Sequence, residues 1–185
     1  MLLLVTEDQK MGHFIKKEIL LEAPRKEVWE TYRDHLPKLA SVMKQVDAIE
    51  VIERESTPQG IRLKNLWKIS GGLPNSIKKV IPSRLLSHQD IAIWNQEKWT
   101  CDFVETPVDE SGIYECKGQN TFVDLGKKTL LTISLELNIY PEKIPGIPKF
   151  LAKGLVGNVE RLISREVARN LTTTAKVVEN HIKKQ

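Results

Sequence analysis

His88 and Asp90 stand two residues apart in a strand-like run. That spacing puts an imidazole and a carboxylate on one face of a strand, where they can exchange a proton with a bound molecule. It also suits an exposed edge or outer-face pair, and this is the expectation here. The other histidines, His13, His35 and His181, are scattered along the chain. Glu50 with Glu53 and Asp109 with Glu110 pair carboxylates at hairpin ends, where solvated charge is the ordinary state. No Ser-His-Asp order, P-loop, GxGxxG or HExxH is present. Cys101 and Cys116 make neither a CxxC nor a zinc spacing, and two cysteines are too few for a disulfide scaffold. They can face each other across a hairpin, yet two buried thiols packing as small apolar groups fit better than a disulfide. No residue is assigned a catalytic role, and no metal or cofactor is expected.

The bulk composition bounds the rest. A chain of 185 residues with 41% hydrophobic and 28% charged residues fits one domain with a sizeable core, or one with an interior cavity. The net charge of +4 comes from Lys and Arg spread along the chain without a dense cluster. That argues against a nucleic-acid partner and leaves transient contact with an anionic membrane surface open. Met1 to Val5 is apolar, but Glu7 and Asp8 follow at once, too early for a signal sequence. No run approaches the roughly 20 apolar residues of a membrane span. The expectations are a cytoplasmic protein, residues 1–11 as an N-terminal arm, and 12–185 as one domain. Nothing sets an oligomeric state.

The elements come next. His13 to Leu21 reads as a strand, Arg25 to Arg33 as a helix, and Leu36 to Met43 as a second short helix with Pro37 in its first turn. Val46–Arg54 and Gly60–Ser70 form a hairpin. Leu85–Trp94, Lys98–Glu105, Ile113–Asp124 and Lys128–Tyr140 extend it as an antiparallel meander. After Pro148 the period changes. Leu155, Val159, Leu162, Ile163, Val167, Leu171, Ala175, Val178 and Ile182 keep one apolar stripe for about eight helical turns. The fold class is therefore α+β: a curved antiparallel sheet of six to seven strands wrapped around a long C-terminal helix.

Strand parity then selects an inner face. Leu63, Asn65 and Trp67 share it on one strand, and Trp99, Cys101 and Phe103 on another. Tyr114, Cys116, Asn120 and Phe122 join them, followed by Ile133 and Leu135, with Leu155, Val159 and Leu162 opposite on the helix. Such a surface suits a ligand pocket with a few orienting polar groups. It equally suits a solid core in which Asn65 and Asn120 satisfy backbone groups.

One short motif carries a resemblance. The step Glu22-Ala23-Pro24-Arg25-Lys26-Glu27-Val28-Trp29 stops a strand with a proline and starts a Trp-bearing helix. With the topology above, it resembles the opening of START-like (SRPBCC, helix-grip) domains. That resemblance implies the helix-grip fold and a cavity for a hydrophobic small molecule or lipid, favouring cavity over solid core. The insert Gly71 to Pro82 combines Gly71 and Gly72 with Leu73, Pro74, Ile77 and Val80, beside Lys78 and Lys79. It reads as a lid, a membrane-touching loop or a plain surface connection. The Trp67-to-Pro82 stretch is similar to the corresponding segment of mitochondrial PRELI-like lipid-transfer domains. Three readings stay open: a lipid or small-molecule carrier, an enzyme of the polyketide cyclase or aromatase type using Asn65, Tyr114 and Asn120, and a protein-interaction module with a filled core.

Overall fold

The computed structural model describes residues 12–44, 46–69, 87–144 and 149–185, the side chains of 141, 149–160 and 162 apart. Among these residues seven strands form one antiparallel sheet. They are β1 (His13–Leu21), β2 (Val46–Thr57), β3 (Gly60–Ile69), β4 (His88–Asn95), β5 (Thr100–Pro107), β6 (Tyr114–Asp124) and β7 (Thr129–Ile139). Their order is β1-β7-β6-β5-β4-β3-β2, so β2 to β7 run as a meander and β1 pairs with the last strand. Between β1 and β2 lie α1 (Arg25–Glu30), a π-helical segment (Thr31–His35), α2 (Leu36–Leu39) and a 3-10 turn (Ala40–Val42). After β7 and a 3-10 turn at Pro141–Lys143 comes the long helix α3 (Lys149–Ile182).

Alternation puts one face of this sheet against α3. On β7, Thr129, Leu131, Ile133, Leu135 and Leu137 are buried, while the residues between them are only half-buried. On α3, Ala175 and Val178 are fully buried, and Val167 and Leu171 pack on the same core. The Glu22 N–H donates to Glu179 Oε1 at 2.9 Å, tying the C-terminal part of α3 to the end of β1.

The proline step does what its sequence requires. Pro24 is extended (φ −61°, ψ 145°), and its carbonyl accepts the Val28 N–H at 3.1 Å. The Ala23 carbonyl accepts the buried Thr129 hydroxyl at 2.8 Å, so the step is bolted to the first residue of β7. Trp29 then enters the core at 1% exposure. It meets Trp94, Phe122 and Trp99 edge-on, at ring-centroid distances of 5.0, 5.1 and 5.3 Å.

Several boundaries differ from the sequence expectation. The first helix does not end at Arg33 but widens into the π-helical segment. Pro37 has no N–H to give the Arg33 carbonyl, so an α-helical ladder cannot run through. The strand expected from Lys98 begins at Thr100, because Trp99 takes a left-handed φ of 53°. The strand expected from Leu85 is described from His88 onward.

Gly118, in the middle of β6, is needed for its size. A β-carbon there would lie 2.4 Å from the Ser134 carbonyl oxygen and 2.7 Å from Phe103 Cζ. The Gly118→Ala variant is expected to lose about 2–3 kcal/mol in urea unfolding, since backbone cannot step aside as a flexible side chain can.

Candidate functional site

The inner face is not uniform along the strands. At one end, the Trp29 cluster and Tyr32, 5.8 Å from Phe122, fill the interior with aromatic rings. In the middle, Leu63, Ala92, Phe103, Gly118 and Leu135 align in one cross-strand row, an apolar floor. The next row toward the other end is polar. Asn65 stands opposite Asp90, Asp90 opposite Glu105, and Glu105 opposite Cys116. One step further out come Trp67, His88 and Tyr114. Ile69 donates its N–H to the Ser87 hydroxyl at 3.2 Å, fixing the neighbouring ends of β3 and β4 beside this row.

Two carboxylates therefore sit side by side on the inner face of the sheet. Asn65 Nδ2 donates to Asp90 Oδ2 at 3.1 Å, while Asp90 Oδ1 is buried without a hydrogen-bond partner. Asp90 is only 9% exposed and Glu105 is half-buried. Burial, and then the charge of Glu105, push the Asp90 carboxyl up to about 6, against the pull of Asn65, His88 and Trp67. Burial pushes Glu105 up to about 7, with the Cys116 thiol pulling weakly the other way. The same burial drives the Cys116 and Tyr114 groups up, each helped by the charge of Glu105, so both are neutral. Two like charges on paired residues resist ionising together, so the pair holds a proton well above the ordinary carboxylate range. A carboxyl that gains and loses a proton near neutrality can orient a polar ligand group or act as an acid or base.

Further polar atoms on this face also lack partners. Asn120 Oδ1, Trp67 Nε1 and Trp94 Nε1 are buried with no hydrogen bond. The Trp67 ring stacks on His88 at 5.6 Å and 15°. Buried polar atoms are normally satisfied, so such a set marks a place where a bound molecule or water completes the bonding.

The expected pocket residues divide three ways. Leu63, Asn65, Trp67, Cys101, Phe103, Tyr114, Cys116, Asn120, Phe122, Ile133 and Leu135 all lie on the inner face. Phe122 belongs to the aromatic plug, and Trp99 does not share the face as a strand residue. It sits in the β4–β5 turn with its ring against Trp29 and the Arg25 guanidinium 4.1 Å above it. The side chains of Leu155, Val159 and Leu162, and the whole expected lid with Gly71, Gly72, Leu73, Pro74, Ile77 and Val80, lie outside the described residues. So does most of the Trp67-to-Pro82 stretch behind the PRELI-like similarity. Cys101 faces Asn120 and Cys116 faces Glu105, which separates the thiols by four residues, roughly 13 Å along the strands. Both are buried and free, and that offset is too long for a disulfide.

Two corrections concern chemistry. His88 and Asp90 share the inner face and not the outer one, because Asp90 has the parity of the buried Ala92 and Trp94. Glu105 is absent from the sequence-based candidates altogether. Its parity with Cys101 and Phe103 is the signal that could have found it. Among the described residues no cluster of His, Cys, Asp and Glu is arranged to hold a metal ion. No described helix is long and apolar enough to cross a membrane. The outer face carries an open depression of about 510 Å³ between Phe14, Ile91, Val104 and Lys117.

No family model and no curated protein matches this chain by sequence. Solved structures do match its shape. The zhui aromatase/cyclase from Streptomyces sp. R1128 superposes with a TM-score of 0.67 at 12% identity, covering 92% of this chain and 93% of that one. TTHA0849 from Thermus thermophilus gives 0.62 at 20% identity, covering 92% and 97%. Ara h 8.0201 gives 0.53 at 9% identity, covering 94% and 99%. With β1, the helices after it, the six-strand meander and the long last helix all in place, the chain has the helix-grip fold that these structures share.

Proposed function

We propose that residues 12–185 form one binding unit that holds a hydrophobic small molecule or lipid between the inner face of the sheet and α3. One observation carries this reading. The inner face is apolar through its middle, yet buried Asp90 Oδ1, Asn120 Oδ1 and Trp67 Nε1 lack partners, as expected of a site that an amphipathic ligand completes. A core evolved only for packing would not leave a carboxylate oxygen buried and unpaired beside a second carboxylate. Native mass spectrometry of protein purified from cells, followed by organic extraction, is expected to find a stoichiometric apolar ligand. A clean ligand-free mass with no uptake of lipid or fatty-acid probes would overturn the reading.

The carboxylate pair supports a second reading, an enzyme of the cyclase kind, because Asp90 and Glu105 titrate near neutral pH where an acid–base catalyst works best. The aromatase/cyclase that shares the fold is consistent with it. Turnover separates the two readings: an enzyme shows turnover that collapses in Glu105→Gln while the fold survives, whereas a carrier shows none in either form.

A further inference from the structure

Resting on that reading of the interior, we infer that the Asn65–Asp90–Glu105 row selects the head group of the ligand, and that the head group it takes is a protonated amine. The row offers acceptors. Asn65 occupies Asp90 Oδ2, and Oδ1 is buried without a hydrogen bond of its own, the Trp67 indole giving the weakest pull on this carboxyl, with Glu105 directly across on the next strand. An ammonium group brings three donors and a positive charge, enough to bond Asp90 Oδ1 and Glu105 together and let both ionise. A hydroxyl brings one donor and no charge. A ligand carboxylate would add a third anion beside two, which burial makes costly.

The surroundings agree with a cationic guest. Among the described residues no lysine or arginine acts on either acid, and the cationic pull on Asp90 comes from His88. Lys17 is on the inner face but opposite Ile133, three strands away from β5. The other titratable groups around the row are His88 on β4, stacked on Trp67, and the neutral Tyr114 and Cys116 on β6. On α3 the buried acid Glu166 is bonded by Arg169 through Oε1, while its Oε2 is without a hydrogen bond. The Trp67 ring gives a cation a π face at the rim of the row. Below it, the Leu63–Phe103–Leu135 floor receives an alkyl or aromatic body.

The test compares three chain-matched probes, decylamine, decanol and decanoate, by displacement of the neutral dye Nile red at pH 7.5. Decylamine is expected to displace the dye at about a tenfold lower concentration than decanol, with decanoate the weakest. Surface binding would give the reverse order, since a chain of net charge +4 attracts the anion. In the isosteric Asp90→Asn/Glu105→Gln double variant the preference for the amine is expected to fall to about threefold or less. Equal displacement by the three probes, a preference for decanoate, or an amine preference that survives in the double variant would overturn the inference. The wild-type ranking decides the matter even if the double variant does not fold. Decanol binding as well as the amine leaves the interior reading standing and removes only the head-group assignment. Failure of Nile red and all three probes to bind removes both.

Discussion

Replacing Glu105 by glutamine is expected to raise stability by about 2–3 kcal/mol at pH 8 and to leave it unchanged near pH 4. The sign follows from where the proton sits. Glu105 titrates at about 7 in the folded protein, against an ordinary value of 4.5. Below about 4.5 the carboxyl is protonated in both states and costs nothing. Between about 4.5 and 7 the unfolded chain has released its proton and the folded chain has not, so stability falls as pH rises. Above about 7 the whole penalty stands, and the partial exposure of Glu105 trims it to the lower figure given. Glutamine keeps the shape and a hydrogen-bonding group beside Asp90 while removing the charge. Urea unfolding of wild type and Glu105→Gln at pH 4, 6 and 8 checks this. Parallel stability curves across that range would mean that Glu105 is not buried against Asp90.

The second large effect lies at the other end of the interior. Trp29→Ala is expected to cost about 4–5 kcal/mol, at the top of the range for emptying an aromatic site. Trp29 is fully buried, and it makes edge-to-face contacts with three other rings. Each such pair adds roughly 0.5–1.5 kcal/mol beyond area burial. A small domain has only about 5–15 kcal/mol in total, so the variant loses roughly a quarter or more of its stability. Trp29→Phe, which keeps a ring in place, is expected to cost less than half as much. A loss below about 1.5 kcal/mol for the alanine variant would show that the plug collapses around the hole, and that the aromatic end of the interior is not rigid.

These two sites are unequally legible in the sequence. The Glu22-to-Trp29 step, the strand alternation and the stripe on the last helix announce the architecture, because each is a local pattern with one physical reading. The plug is half legible. Trp29 is recognisable as an anchor, but alternation counts Trp99 into a strand that its left-handed φ excludes. Backbone sign at one residue leaves no trace in alternation. The carboxylate pair is hidden for a different reason. A charged residue near a strand end is ordinarily solvated, which sends Asp90 to the surface and leaves Glu105 unremarked. Only the register, which sets Asn65, Asp90, Glu105 and Cys116 side by side across four strands, shows that these residues share an interior row. Parity contains the information, since Glu105 follows Phe103 and Asp90 precedes Ala92 on one face. A general rule about charge overrides it, and functional sites are where such rules fail.

The measurement closest to the central claim is residue-level mapping of a photoreactive lipid carrying a mid-chain diazirine. Inner and outer residues alternate along each strand, so the face occupied can be read from parity alone. If the ligand lies between the sheet and α3, labels will fall on Leu63, Ala92 and Ile133, inner-face residues that do not border the outer depression. Labels on Ile91, Val104 and Phe14 instead would place the apolar ligand in the outer depression and contradict the account.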